Sequence, residues 1–275
     1  DVKNRRWSDT VLNELHIPTE FLPQSYESCE VSGRISRRAA EETGLVEGTP
    51  VVGGAGDQSA GAVGNGIVER GIISSVMGTS GVLFAFSEQP EYDAEGRLHT
   101  FCHAVPNKWH MMGVTLAAGG SFRWLRDTLC QEEVTLAHRK KVDPYELMTA
   151  KAMKVSAGSE GLIFLPYMIG ERTPYPDPNA RGVFLGLTLR HSKAHLIRSV
   201  MEGVTFSVRG SLEIMRSLKI PVWTSPVGTI SGVKDLELTA RLSQNFMFAN
   251  QPSTIHVDLT QSGYDVLTAS NGVQA

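Results

Sequence analysis

Apolar positions along this chain follow two spacings, one helical and one strand-like, and glycines gather where one gives way to the other. Trp7, Val11 and Leu15 predict a short amphipathic helix over about residues 8–15. Pro18 and Pro23 then force an extended connection. Residues 30–35 read as a strand, and Ser36 as the N-cap of a helix through Ala39 and Ala40 that Gly44 closes. Residues 50–54 predict a short buried strand, and an Ala/Gly-rich helix follows Asp57. Residues 72–77 and 82–86 read as strands joined by a Gly-Thr-Ser-Gly turn, and residues 87–97 as a surface loop. A strand over 109–116 leads through Ala117–Ser121 into a helix carrying Phe122, Trp124, Leu125 and Leu129. Asp143-Pro144 starts another helix, residues 162–165 read as a fully buried strand, and the proline-rich stretch 170–182 as an irregular loop. Leu196, Val200, Val204, Val208 and Leu212 predict one long helix from Ser192 to about Leu218. Strands alternating with helices indicate an α/β layered protein, with no internal repeat and no clean linker.

Two glycine-rich stretches stand out. In Val51-Val52-Gly53-Gly54-Ala55-Gly56-Asp57-Gln58, an apolar run enters a group of glycines that ends at one carboxylate. In Met77-Gly78-Thr79-Ser80-Gly81, a tight turn separates two apolar runs. Glycine lets backbone approach a ligand where a Cβ would clash. A carboxylate that orients an alcohol, and backbone N–H groups that hold phosphate oxygens, are what phosphoryl transfer to a hydroxyl requires. The plainer reading is that these are ordinary turns and that Asp57 is a helix cap.

Composition narrows the choice. The 275 residues suffice for one large or two ordinary domains. A formal net charge of −3 gives no electrostatic case for nucleic acid. No apolar run reaches the ~20 residues that span a bilayer, and the first residues lack the apolar core of a signal peptide. Three widely spaced cysteines, Cys29, Cys102 and Cys130, predict reduced thiols in a cytoplasmic protein. His99, Cys102, His103 and His110 invite a zinc reading, but their spacing is unlike that of compact structural zinc sites, so structural roles are favoured. Cys102 and His103 are adjacent strand residues pointing to opposite faces, which disfavours a nucleophile pair. Glu171 and Asp177 read as loop-ordering residues, and Glu202 as a buried hydrogen-bond partner.

Taken in order, the Gly-Gly-Ala-Gly-Asp57-Gln58 stretch, the Met77–Gly81 turn, and the run Gly182-Val183-Phe184-Leu185-Gly186-Leu187 continuing through His195-Leu196 to Ser199–Gly203 resemble the FGGY carbohydrate kinases. The chain is most similar to the xylulokinase members. His99–Ala104, Trp109-His110 and Gly170-Glu171-Arg172-Thr173-Pro174 favour the sugar-kinase subgroup over glycerol kinases. The resemblance covers roughly residues 5–218. It implies an α/β actin-like ATPase (ribonuclease H-like) fold, with residues 1–66 ending the first, sugar-binding domain and residues 67–275 belonging to the second, nucleotide-binding one. It implies Asp57 as the general base, Asp57 and the adjacent Gln58 as the residues that hold the sugar, Gly78, Thr79, Ser80 and Gly81 contacting nucleotide phosphates, and Gly119 near the nucleotide. ATP, Mg²⁺ riding with it and a ketopentose are the implied ligands, with neither a dedicated metal site nor a nucleic-acid or membrane partner. Dimers are common in such kinases.

Two departures from the family pattern qualify this. The first strand and phosphate-gripping turn that open family members do not precede Asp57, so the chain reads as an internal fragment expected to be inactive alone. Residues 222–275 look atypical: Val227–Lys234 stands where a glycine-rich adenine turn is expected, with Gly232 its one candidate remnant. A gluconate, ribulose or glycerol kinase, and a non-catalytic chain that keeps the fold, are the alternatives.

Overall fold

The structure, a computed structural model, describes residues 1–221 and the backbone of two later strands. Two compact units emerge. One comprises Asp1–Glu69, Phe86–Glu91 and Thr100–Met111, and the other Arg70–Ala85, Tyr92–His99 and the chain from Met112.

In the first unit, helix α1 (Asp9–Glu14) starts where the Ser8 hydroxyl accepts the Val11 N–H. Strand β1 (Val31–Arg34) precedes α2 (Arg37–Thr43), which Ser36 caps and Gly44 ends in the left-handed region at φ +77°. Strand β2 (Pro50–Val52) pairs antiparallel with β1, Arg34 facing Pro50. Helix α3 (Asp57–Gly64) follows. The expected burial of residues 50–54 is not found. Pro50, Val51 and Val52 are exposed, because β1 and β2 form a two-stranded ribbon whose own pairing covers neither face.

Strands β3 (Ile73–Met77), β4 (Gly81–Ser87), β5 (His99–Cys102) and β6 (Trp109–Thr115) form one sheet in the order β3-β4-β6-β5. β3 and β4 are an antiparallel hairpin with Met77 opposite Gly81. The connection after β4 is a loop, as predicted, but it is tied down. Asp93 is buried and takes both its own ion pair with Arg97 (2.8 Å) and the Arg97 N–H (2.7 Å). The Arg97 side chain, working against burial, holds the Asp93 carboxyl at about 2, well below the usual carboxylate range.

Helices α4 (Gly119–Leu129), α5 (Gln131–Lys140) and α6 (Pro144–Ala152) come next, then β7 (Ile163–Leu165), β8 (Val183–Leu185) and the 25-residue α7 (Lys193–Ser217). Asp143 caps α6 by accepting the Tyr145 N–H at 2.8 Å. The core of the second unit joins Phe122 and Leu125 of α4, Tyr145 and Met148 of α6, Phe164 of β7, and Ile197, Val200 and Met201 of α7. Arg198 and Glu202 form an ion pair at 2.5 Å within α7, and Glu202 also accepts the Gly158 N–H, so this acid is the buried partner its position predicted. Strands β9 (Arg241–Leu242) and β10 (Val257–Asp258) pair antiparallel. Val227–Lys234, with Gly232, lies outside the described residues.

The second unit corrects two expectations. Residues 162–165 are not fully buried: Leu162 and Phe164 point inward while Ile163 is 48% exposed, since β7 pairs only with β8 and one face stays open. The pattern of apolar positions does not predict helix α5, because the helix carries no apolar stripe. Its acidic residues lie in the first turn and its basic ones in the last, an order that suits the helix dipole. Among the described residues, no helix is long and apolar enough to cross a membrane. All three cysteines are free thiols, and burial pushes Cys130 up to about 11.

Candidate active site

In the first unit, backbone crowding dictates the approach to Asp57. A Cβ on Gly53 would lie 2.6 Å from the Glu27 carbonyl oxygen, and Gly54 sits at φ +76°. Both positions therefore need glycine. Gly56 is the N-cap of α3 and Asp57 its first residue. Asp57 is exposed, and its Oδ1 accepts the Gln58 N–H at 2.8 Å, leaving Oδ2 without a hydrogen bond among the described residues. Gln58 is half-buried. Ser59 fastens the helix by accepting the Ala104 N–H at 2.6 Å. An open cleft of about 540 Å³ is lined by Arg5, Glu27, Gly54, Gly56, Ser59 and His103, among others. Arg5 is held there by Glu27 (2.8 Å) and lies over the Trp109 ring at 4.7 Å.

In the second unit, Gly78, Thr79 and Ser80 form the β3–β4 turn, and Gly81 opens β4. Gly119, the first residue of α4, donates its N–H to the Gly78 carbonyl at 2.9 Å, and Gly120 donates to the Thr79 carbonyl at 3.0 Å. Across a trans peptide the N–H points opposite to the C=O. The amides of Thr79 and Ser80 therefore point away from α4, and neither makes a hydrogen bond among the described residues. Thr79 is exposed. Two adjacent, unsatisfied N–H groups held by carbonyls anchored behind them form a cradle suited to an anion. Crowding keeps it small: a Cβ on Gly81 would meet Ala118 at 3.1 Å, and one on Gly120 would meet the Thr79 carbonyl at 3.2 Å. The sequence-predicted residues Gly78–Gly81 and Gly119 are thus brought together, and Asp57 and Gln58 stand together in the other unit.

The four residues of the zinc reading do not converge. Among the described residues, no group of three or more His, Cys, Asp or Glu side chains is arranged to hold a metal ion. His103 and His110 are buried, meeting edge to face at 5.7 Å, and His110 stacks on Phe101. Burial, with some repulsion from His103, lowers His110 to about 3, and burial lowers His103. As pH falls below ~6.5 the unfolded chain protonates the His110 imidazole and the folded one does not, so stability drops toward pH 3. His110 contributes a slope approaching ~1.4 kcal/mol per pH unit over this range. Urea unfolding of the intact protein at pH 7.5 and pH 5 is expected to show a loss of about 2 kcal/mol from His110. His110→Phe, which keeps the stack, is expected to remove that part; an unchanged pH dependence would show that the imidazole is charged in the folded state.

Known proteins resemble this chain over most of its length. The model of the FGGY family of carbohydrate kinases, C-terminal domain, matches residues 73–232, and that of the family's N-terminal domain matches residues 1–64. The described α/β architecture is that of the actin-like ATPase fold shared by the solved sugar kinases it resembles. The chain belongs to the FGGY family of carbohydrate kinases. Xylulose kinase of Bacillus subtilis is 34% identical over 215 residues, 78% of this chain and 41% of that protein. Gluconokinase of the same organism is 34% identical over 209 residues, 76% of this chain and 40% of its own length. The solved ligand-bound xylulose kinase from Lactobacillus acidophilus is 29% identical with a TM-score of 0.70, over 78% of this chain and 42% of that one. The chain spans about two fifths of the length of the curated relatives it matches.

Proposed function

We propose that the protein is an ATP-dependent sugar kinase that phosphorylates a ketopentose, D-xylulose at its 5-hydroxyl first among the candidates. The observation that carries this reading is the pair of outward-facing amides at Thr79 and Ser80, in a chain whose other unit presents the exposed carboxylate of Asp57. Asp57 takes the proton of the attacking hydroxyl, and its solvent-facing Oδ2 is the atom available to do so. Gln58 and the polar lining of the neighbouring cleft, Arg5 and Glu27 included, hold the sugar. Gly78, Thr79, Ser80 and Gly81 hold nucleotide phosphate oxygens through backbone N–H groups, and Gly119 keeps the turn in place. Mg²⁺ bound to the phosphates supplies charge neutralisation as the γ-phosphoryl group leaves. The domain division at about residue 66, a cytoplasmic setting and a homodimer form part of the same reading.

Xylulose kinases are numerous among the relatives, which favours D-xylulose, but a gluconokinase of comparable identity keeps gluconate as the second substrate. Calorimetric titration with Mg-ATP and with D-xylulose, alongside coupled ADP release, tests both. Nucleotide binding together with xylulose-dependent ADP release in the intact protein is expected. Release with gluconate in place of xylulose would transfer the assignment to the second substrate, and absence of nucleotide binding would remove the kinase reading. Titration of the 275-residue chain alone is expected to show nucleotide binding without turnover.

A further inference from the structure

Glu171 is buried in the second unit at 3% exposure, in a loop far in sequence from the β3–β4 turn. Its Oε1 accepts the N–H groups of Leu116 (2.9 Å) and Arg172 (2.8 Å), and its Oε2 lies 3.3 Å from the Thr115 hydroxyl. These partners are dipoles rather than a cation, and burial raises the carboxyl's pKa against them. The loop that carries it is itself fixed: the N–H of Glu171 donates to the Asp177 carbonyl at 2.9 Å and the N–H of Asp177 returns to the Glu171 carbonyl at 3.1 Å. Thr173 adds a second fastening, its backbone N–H donating to the Val114 carbonyl and its hydroxyl accepting the Val114 N–H, both at 3.1 Å.

Leu116 is the residue that connects this loop to the anion cradle. Glu171 holds its N–H, and the Ser80 hydroxyl donates to its carbonyl at 3.1 Å. Three residues later the chain reaches Gly119 and Gly120, whose amides hold the carbonyls of Gly78 and Thr79. The turn is therefore attached to residues 116–120 at three points, and residue 116 is anchored from behind by one buried carboxylate. Removing that acceptor takes away the Leu116 N–H's partner and frees the segment that aims the Thr79 and Ser80 amides.

We propose that Glu171 is a positioning residue for the nucleotide phosphates, acting through Leu116 and Ser80 on the orientation of the turn's amides. This rests on the kinase reading above. It predicts an effect confined to the nucleotide side of the reaction. In the intact protein, Glu171→Leu is expected to raise KM for ATP by about tenfold or more and to weaken ATP binding by calorimetry equally, while KM for the sugar stays within about twofold. Glu171→Asp, which keeps the charge but draws the carboxyl back from Leu116, is expected to do the same and serves if the leucine variant does not fold. Glu171→Gln retains an acceptor for Leu116 and is expected to restore KM for ATP to within about threefold of the parent. In a double-mutant cycle, Ser80→Ala is expected to add little to Glu171→Leu or Glu171→Asp, because both act on one linkage. An unchanged KM for ATP in the aspartate and leucine variants, or equal losses for sugar and nucleotide, would overturn the proposal while the parent's activity leaves the kinase reading intact. A parent that neither binds ATP nor phosphorylates a sugar would overturn the kinase reading itself.

Discussion

Asp57→Asn in the intact protein is expected to lower kcat by about 10²–10⁴ with little change in either KM. Asparagine has the shape of aspartate, and its Oδ1 can still accept the Gln58 N–H that Asp57 accepts at 2.8 Å. The start of α3 should survive the change. The charge lost at a helix N-terminus is worth ~1 kcal/mol or less at an exposed position, whereas the expected loss of rate corresponds to about 3–5 kcal/mol of barrier. The two effects differ enough in size for steady-state kinetics and a thermal melt to separate them. A kcat equal to the parent's would exclude Asp57 as the base and assign the proton transfer to another group.

Gly203→Ala is expected to cost about 2–4 kcal/mol of stability. By helix propensity alone, alanine in the middle of α7 would gain ~1 kcal/mol over glycine. Packing reverses the sign. A Cβ at position 203 would stand 2.1 Å from the Phe164 carbonyl oxygen and 3.3 Å from the Phe164 Cβ. The obstacle is the backbone of β7, which cannot rotate aside, so helix and strand must separate where Phe164, Val200 and Met201 form the core. Urea unfolding of the variant beside the parent measures the difference. A midpoint equal to or above the parent's would mean that α7 and β7 do not touch at this point.

Much of the chain was legible because local chemistry decided it. Ser8, Ser36 and Asp143 start helices with their own side chains, Gly44 ends one in a conformation suited to glycine, and the repeat Val200, Val204, Leu212 lies on the buried side of one long helix. The two glycine-rich stretches could be read as functional candidates for the same reason, since each packs its constraint into a few neighbouring residues. Helix α5 and strand β8 were not legible. The first lacks an apolar stripe, and the second exists only because Phe164 and Leu165 supply partners for Phe184 and Val183 from some twenty residues away.

What the sequence by itself determined was the order of most elements, α5 and β8 apart, the position of the single carboxylate at the start of α3, and the family whose motifs these are. Tertiary structure alone decided which way the β3–β4 turn presents its amides, because that depends on Gly119 and Gly120 reaching back to its carbonyls. It also decided that Glu171, one acid in a proline-rich loop, lies buried behind that turn. Local propensity acts over a few residues, whereas a buried carboxylate acquires its role from donors that only the packed chain brings within hydrogen-bond reach.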